Sequence, residues 1–225
     1  MHSKITLALL TALCILTTIV ASRANATPIK TPIKAVTKSN LHSASIDDIK
    51  RIETYLSKLS TIKASFTQVA PNGELSEGTF YLKRPGKMRW QYNPPTPILL
   101  VSNGSTFTYY DAELDQVNYI DVDDTLASFL GRDDIRMESD ITTITESSAE
   151  SGVIRITLVE KKKPNEGALS LEFSETPLAL RNMIITDATG ATTRIALQNA
   201  EFGLALDNAL FVFKDPRGVK TRKRR

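Results

Sequence analysis

The chain has 225 residues and a formal net charge of +3, with 28 Lys and Arg against 25 Asp and Glu, one cysteine and two histidines. A lone cysteine cannot form an internal disulfide. Five of the basic residues lie in the last six positions, 220–225, so the positive balance belongs to a basic tail and does not predict nucleic-acid binding.

The first 26 residues have the pattern of an export signal. Lys4 precedes an apolar run over residues 5–21, and the small-residue pattern A-N-A follows at residues 24–26. This pattern predicts a Sec-type signal peptide over residues 1–26 that is cleaved after Ala26. An uncleaved anchor is the alternative, although the run is short and rich in threonine for a stable membrane span.

Cleavage would change the chemistry available to the protein. It would remove Cys14 and His2, which leaves His42 as the sole histidine in the remaining 199 residues (225 minus 26). A thiol nucleophile, a histidine-based triad and a multi-histidine zinc site are then excluded. We expect one exported domain with a sizeable core, no metal, no other cofactor and no enzyme activity, although lysine, serine and carboxylate chemistry would survive.

The first predicted elements are a linker and an amphipathic helix. Residues 27–44 contain the near-repeat TPIK-TPIK and lack hydrophobic periodicity, which is typical of a flexible linker. Residues 45–60 predict a helix with Ser45 as N-cap and Asp48 as the partner in a capping box. Its apolar stripe, at helical spacing, consists of Ile46, Ile49, Ile52, Leu56 and Leu59.

From residue 61 the hydrophobic pattern changes to period two. Short runs rich in β-branched and aromatic residues alternate with Gly, Pro and Asn turn signals, and residues 135–144 and 210–214 are two of the runs predicted as strands. About ten or eleven strands at this spacing predict one large antiparallel sheet or barrel. Residues 123–134 interrupt the strands and predict a short helix that Thr125 caps and Gly131 ends.

The apolar face of this sheet is larger than two helices can cover. The sheet either closes into a packed barrel or stays open and encloses an apolar cavity, and the pattern alone leaves both possibilities open. The segment KRPGKMRWQYNPP, residues 83–95, poses the same question, because cations alternate with apolar side chains. The alternation predicts that the apolar side chains face the cavity, whereas Lys83, Lys87 and Arg89 face solvent on the convex side.

The order of the sequence motifs resembles the LolA family of outer-membrane lipoprotein carriers. The resemblance covers roughly residues 45–219, and the ordered set is far more specific than any single motif. The matching motifs are ASFTQ (64–68), EGTF (77–80), LKRPGKMRWQY (82–92), PILLVSNG (97–104), FTYYD (107–111), TLASFLG (125–131) and LFVFKDPRGV (210–219).

The resemblance implies an unclosed β-barrel, or half-barrel, with a lid of short helices over a hydrophobic cavity. It also implies a monomeric periplasmic chaperone that accepts acylated lipoproteins from an inner-membrane ABC transporter and passes them to an outer-membrane acceptor, which some organisms lack. Three alternatives are a lipid- or glycolipid-binding module, a stress-sensing module on the same half-barrel, and the acceptor role itself.

The resemblance and the strand alternation together assign the site residues. Arg84 is expected to hold backbone carbonyls of the lid in the closed state, because its guanidinium offers five donors in a fixed fork. The expected cavity residues are Phe66, Phe80, Met88, Trp90, Tyr92, Phe107, Tyr109, Ile154, Ile156, Leu158, Leu171 and Phe173. The expected lid residues are Ile49, Ile52, Leu56, Leu126, Phe129 and Leu130.

Overall fold

The computed structural model describes residues 43–121 and 126–217. The predicted signal peptide, residues 27–42 of the predicted linker, the Thr125 cap and the basic tail lie outside these ranges. Among the helices in the described ranges, none combines the length and the apolar character needed to cross a membrane.

Helix α1 spans Ile46–Lys58 and begins as the sequence predicts. Ser45 is the N-cap, and its hydroxyl accepts the Asp48 N–H while the Asp48 carboxylate accepts the Ser45 N–H, so the predicted capping box is confirmed. Two positions differ from the expectation. Ile46 is 72% exposed because it lies at the first residue of the helix, and Ala44, at the end of the predicted linker, is buried in the core.

Eleven strands of the described chain form one antiparallel sheet in the order β6-β5-β4-β3-β2-β1-β11-β10-β9-β8-β7. Since β6 and β7 lie at opposite edges of this sheet, the expected unclosed barrel is confirmed. The strands are β1 (Thr61–Val69), β2 (Leu75–Lys83), β3 (Lys87–Tyr92), β4 (Ile98–Asn103), β5 (Thr106–Asp111), β6 (Gln116–Asp121), β7 (Thr142–Glu150), β8 (Val153–Glu160), β9 (Gly167–Glu175), β10 (Leu178–Asp187) and β11 (Thr192–Phe202).

Two 3-10 helices in the described part of the chain accompany the sheet. The first, Leu126–Gly131, occupies the predicted helical interruption. The second, Asn208–Phe211, replaces the strand predicted over residues 210–214. That strand prediction is wrong because Asp207 caps a helical turn here, its carboxylate accepting the Ala209 N–H at 2.9 Å.

The strand predicted over residues 135–144 starts only at Thr142. The preceding residues alternate as a strand would, with Ile135 and Met137 almost fully buried, but their backbone is irregular. The Met137 N–H donates to the Glu53 carboxylate on α1 at 2.8 Å, so the segment is bonded to a helix and not to a neighbouring strand. The alternation of apolar and polar residues therefore reflects alternating burial in this segment and does not indicate a strand.

The C-terminal segment, residues 203–217, passes over the convex face of β2 and β3. Lys83 Nζ donates to the Leu206 carbonyl at 2.8 Å, and Arg89 Nη1 donates to the Leu210 carbonyl at 3.0 Å. Lys87 Nζ donates to the Asn208 side chain at 3.2 Å. The three cations do lie on the convex face, but the expectation that they simply face solvent is wrong, because each is bonded to this segment.

Candidate functional site

The twelve side chains predicted to line a cavity share the concave face of the sheet. Trp90 is half-buried, and the other eleven are at most 8% exposed. All twelve belong to or pack against one apolar cluster, which α1 and the first 3-10 helix cover. The concave face is thus continuous from β5 through β1 to β8, and the two helical elements, which the sequence predicts as a lid, cover it.

An aromatic cluster occupies the centre of this face and depends on one glycine. The Phe80 and Trp90 rings stack with centroids 4.1 Å apart, and Phe66 meets Tyr92 edge to face at 5.0 Å. Phe66 lies opposite Gly78 on β2, where a Cβ would be 2.7 Å from the Phe66 ring and 2.2 Å from a backbone oxygen. Only glycine allows the rings of β1 and β3 to meet across β2.

The six residues predicted for the lid pack against the apolar cluster of the sheet. Ile52, Leu56 and Phe129 are fully buried, Leu130 is 4% exposed, and Ile49 and Leu126 pack against the same cluster. In the half of the sheet formed by β7 to β11, α1 packs on β10 and the first 3-10 helix packs on β9. Most of the lid therefore contacts the sheet through apolar side chains.

Arg84 joins both parts of the lid to the turn between β2 and β3. Its Nε donates to the Leu130 carbonyl in the 3-10 helix at 2.9 Å, and its Nη1 donates to the Leu56 carbonyl in α1. Both acceptors lie in the last turns of their helices, where carbonyls carry partial negative charge, and the Leu56 carbonyl also accepts the Leu59 N–H at 3.1 Å. Burial lowers the pKa of Arg84 and the charge of Asp133 opposes that effect, and a guanidinium stays protonated in either case.

The Arg84 contacts are incomplete, which bears on how tightly the lid is held. Among the described residues, Nη2 of Arg84 is one of two buried side-chain polar atoms without a hydrogen-bond partner. A buried donor without a partner costs about 1–3 kcal/mol. The closed lid is thus stabilised by two charged hydrogen bonds and weakened by one buried donor.

A second, backbone contact ties the lid to the same turn. The Gly86 N–H donates to the Gly131 carbonyl at 2.7 Å, and the buried Ser102 hydroxyl donates to the Gly86 carbonyl at 2.7 Å. A Cβ on Gly131 would lie 3.2 Å from Gly86 Cα, and a Cβ on Gly86 would lie 2.8 Å from Gly104 Cα. We call residues 84–86 the latch turn. The backbone segments around Gly86, Gly104 and Gly131 meet there, at distances that leave little room for a Cβ.

Sequence reasoning missed several residues of this site. Gly131 was interpreted only as a helix stop, and Gly86 only as part of a turn. Their close contact could not be found from spacing, because the two glycines lie 45 positions apart. The alternation of Ile135 and Met137 was a signal of burial, but it was assigned to a strand.

Comparison with known proteins fits this arrangement. The family model described as outer membrane lipoprotein carrier protein LolA matches residues 57–214. The chain belongs to the LolA family. The matched range of this LolA protein includes the whole sheet, the latch turn, the first 3-10 helix and most of the C-terminal segment, and it begins at the end of α1.

Curated relatives of this LolA protein carry the name outer-membrane lipoprotein carrier protein. The relative from Methylococcus capsulatus is 34% identical over 183 residues, which are 75% of this chain and 84% of the relative. The relative from Azotobacter vinelandii is 33% identical over 180 residues, which are 76% of this chain and 86% of the relative. Among solved structures, a LolA superfamily protein from Nitrosomonas europaea aligns with a TM-score of 0.41 and 9% identity over 73% of this chain and 97% of that one.

Proposed function

We propose that this protein is a periplasmic chaperone that carries lipoproteins from the inner to the outer membrane with their acyl chains bound to its concave face. One observation carries the proposal. A continuous apolar surface is covered by two helical elements, and a single arginine donates a hydrogen bond to one backbone carbonyl of each. Such a surface suits hydrocarbon chains, and such a cover can be released.

The free energy of transfer explains why a carrier is needed. Each methylene taken out of water is worth about 0.8 kcal/mol, so one sixteen-carbon chain in water costs on the order of 12 kcal/mol. A lipid-anchored protein cannot cross an aqueous compartment against that cost. The concave face would replace most of the burial that the membrane provides.

The latch turn would make release possible. A hydrogen bond to a charged group contributes about 1.5–3 kcal/mol, so the two Arg84 bonds bias the lid toward closure without fixing it there. When acyl chains occupy the concave face, the lid is displaced and these bonds are lost. Their return on closure then favours delivery of the cargo.

The remaining parts of the proposal concern partners and location. Cargo would come from an inner-membrane ABC transporter and go to an outer-membrane acceptor, where the organism has one. The protein would act as a monomer, would not catalyse a reaction, and would reach the periplasm after cleavage of residues 1–26.

The first experiment is recovery of the mature protein, carrying an affinity tag, from the periplasm of its own host. Mass spectrometry of the bound material should find acylated lipoproteins in a one-to-one complex that detergent dissociates. If only free phospholipid or glycolipid were recovered, the function would be lipid binding on the same fold. If nothing were bound and the protein excluded apolar dyes, the carrier proposal would be wrong.

A further inference from the structure

A buried polar pair lies on the apolar concave face, at the end opposite the latch turn. The Tyr92 hydroxyl on β3 donates to the Gln68 side-chain oxygen on β1 at 2.7 Å. Tyr92 is 8% exposed and Gln68 is 4% exposed. Tyr92 is the last residue of β3 and Lys87 the first, so about 17 Å of strand separates this pair from the latch turn.

Gly78 lies on the strand between the two strands that carry the pair. Gln68 and Tyr92 lie on β1 and β3, with β2 between them, and Gly78 pairs directly with Tyr92. Because Gly78 has no side chain, groups from the two outer strands can meet above it. The exposed residue Asn93 follows Tyr92 directly, so the pair lies one residue inside the rim of the sheet.

Asp111 and Asp187, two other buried polar side chains at this end of the sheet, hold turns, whereas this pair does not. The Asp111 carboxylate accepts the N–H groups of Glu113 and Leu114 in the turn after β5. The Asp187 carboxylate accepts backbone N–H groups in the turn after β10. Gln68 and Tyr92 cap no turn, and they bring an amide and a hydroxyl to a mostly apolar surface.

The chemistry of the pair matches one part of an acylated ligand. An acyl chain is apolar along its length and polar only at the ester or amide that joins it to its head. The Gln68 amide has two N–H donors for an ester carbonyl, and the Tyr92 oxygen can accept an amide N–H. The pair therefore offers the polar group of an acyl ligand a defined position at this end of a mostly apolar surface.

We propose that Gln68 and Tyr92 form a subsite that binds the ester or amide group at the head of an acyl chain and so fixes the direction in which the chain lies. This proposal rests on the proposed carrier function and adds the chemical group that is recognised. The hydrocarbon would then extend from the pair toward the latch turn, beneath the lid. Gln68 and Tyr92 would be specificity-determining residues.

The groups around the pair keep it able to donate hydrogen bonds. Tyr109 on β5 is the titratable neighbour of Tyr92, and its hydroxyl is 3.5 Å from the Asp111 carboxylate. Burial, with the charge of Asp111, raises the pKa of Tyr109 to about 12. Burial and the neighbouring Tyr109 likewise raise the pKa of Tyr92, so both phenols are protonated throughout the neutral range.

The test compares ligands that differ only in the polar group. The full mature protein is titrated with a synthetic diacyl lipopeptide, whose two chains are joined by esters, and with its dialkyl ether counterpart of equal chain length. Dioleoyl phosphatidylglycerol and its diether form a second pair. The variants are Tyr92→Phe and Gln68→Met, which probe the pair from two strands, and the control is Tyr119→Phe, an exposed tyrosine of β6.

The wild-type protein should bind the ester lipopeptide about fivefold more tightly than the ether, which is the size of one net hydrogen bond. Both variants should lose that preference, and Tyr119→Phe should keep it. A preference for the phospholipid ester as well would support a subsite for acyl esters in general, and its absence would support one for lipopeptides. An unchanged preference in both variants, measured on protein with a normal thermal transition, would overturn the subsite alone. Failure of the wild-type protein to bind any of the four ligands would overturn the carrier function too.

Discussion

The lid contacts the two halves of the sheet in different ways. On the β2–β3 half, Arg84 and Gly86 donate hydrogen bonds to carbonyls of Leu56, Leu130 and Gly131. On the β9–β10 half, the contact is mainly apolar, with Tyr55 packed edge to face on Phe173 at 6.3 Å. One half therefore holds the lid by directional bonds, and the other by apolar packing.

The convex faces of the two halves also differ. The C-terminal segment covers the convex side of β2 and β3. On β8–β11 that side instead carries a charge network around Glu172, whose side chain is 7% exposed. Glu172 accepts hydrogen bonds from Arg155 at 2.5 Å, Asn182 at 2.8 Å and Arg194 at 3.3 Å.

The comparison indicates which half can move without disturbing the other. Apolar packing adapts to small shifts, whereas a hydrogen bond weakens steeply when its geometry is lost. A lid that is bonded at the latch turn and packed on β9–β10 can lose its bonds first while its apolar contacts persist. We expect changes at the latch turn to alter cargo transfer, and changes on the other half to alter stability.

The largest effect is expected from Arg84→Leu. The variant loses two charged hydrogen bonds to the lid, so the closed state should be destabilised by about 3 kcal/mol relative to the cargo-bound state. Because closure favours delivery, lipoprotein should stay on the carrier. The measurement is the rate of lipoprotein transfer from the purified complex to outer-membrane acceptor or vesicles.

The matched control for Arg84→Leu is Arg89→Leu, five residues along the chain on the convex face of β3. It removes a cation that bonds the C-terminal segment and leaves the lid untouched. Both variants should keep the circular dichroism spectrum of the wild-type protein. A wild-type transfer rate in Arg84→Leu would contradict the role of the latch turn.

Gly131→Ala should have the next largest effect. The added Cβ would lie 3.2 Å from Gly86 Cα and 3.3 Å from Met88 Cε, so the contact between the 3-10 helix and the latch turn must open by a few tenths of an ångström. Overpacking of this kind costs about 1–3 kcal/mol. Binding of an apolar dye to the empty protein should increase, because the lid is held less firmly.

The double variant Arg84→Leu/Gly131→Ala tests whether both residues act on the same closed state. Since the two positions share one contact region, their effects should not add, and the double variant should bind dye little more than Arg84→Leu alone. Full additivity would show instead that Gly131 contributes to folding independently of the latch turn.

The sequence predicted the elements of the fold better than their arrangement. Turn signals and period two located the strands, and Ser45 with Asp48 located the start of α1, because these features depend on neighbouring residues. Whether the sheet closes depends on β6 and β7, which are separated by a helix and meet no common partner. That outcome is non-local, and only the family resemblance favoured an open sheet.

The candidate site shows the same limit. Alternation placed the apolar side chains on the concave face, but composition alone would have left Arg84 as a surface cation beside a turn. The Gly86–Gly131 contact and the hydrogen bonds of Lys83 and Arg89 depend on segments distant in sequence. Glycine and lysine give no local sign of a partner that the tertiary structure brings to them.

Glu172→Gln tests the convex face of the other half. Burial opposes ionisation, but hydrogen bonds from Asn182 and Arg155 and the charges of Arg155 and Arg194 outweigh it and lower the pKa of Glu172 below 4.5. A carboxyl group whose pKa is lower in the folded than in the unfolded protein stabilises the fold at pH values above its unfolded pKa of 4.5. That stabilisation is lost as the pH falls through the folded pKa.

The variant should therefore be less stable by about 1.5 kcal/mol at pH 7, and this difference should shrink below about pH 4.5. Urea unfolding at several pH values measures it, with Glu150→Gln, an exposed residue of β7, as the control. Lipoprotein transfer should be unaffected. A difference that grows toward acid pH would mean that the carboxylate is not held in its charged form.

The smallest effect is expected from Tyr55→Phe, which separates the two ways of holding the lid. The substitution keeps the ring that packs on Phe173 and removes only the hydroxyl that accepts the Leu180 N–H at 3.3 Å. The bond is long, so its loss should lower the free energy of unfolding by about 0.5 kcal/mol, at the weak end for a net hydrogen bond. Transfer should proceed at the wild-type rate, because apolar packing holds this half of the lid. If Tyr55→Phe instead slowed transfer as much as Arg84→Leu, both halves would hold the lid by directional bonds, and the difference between them would not govern release.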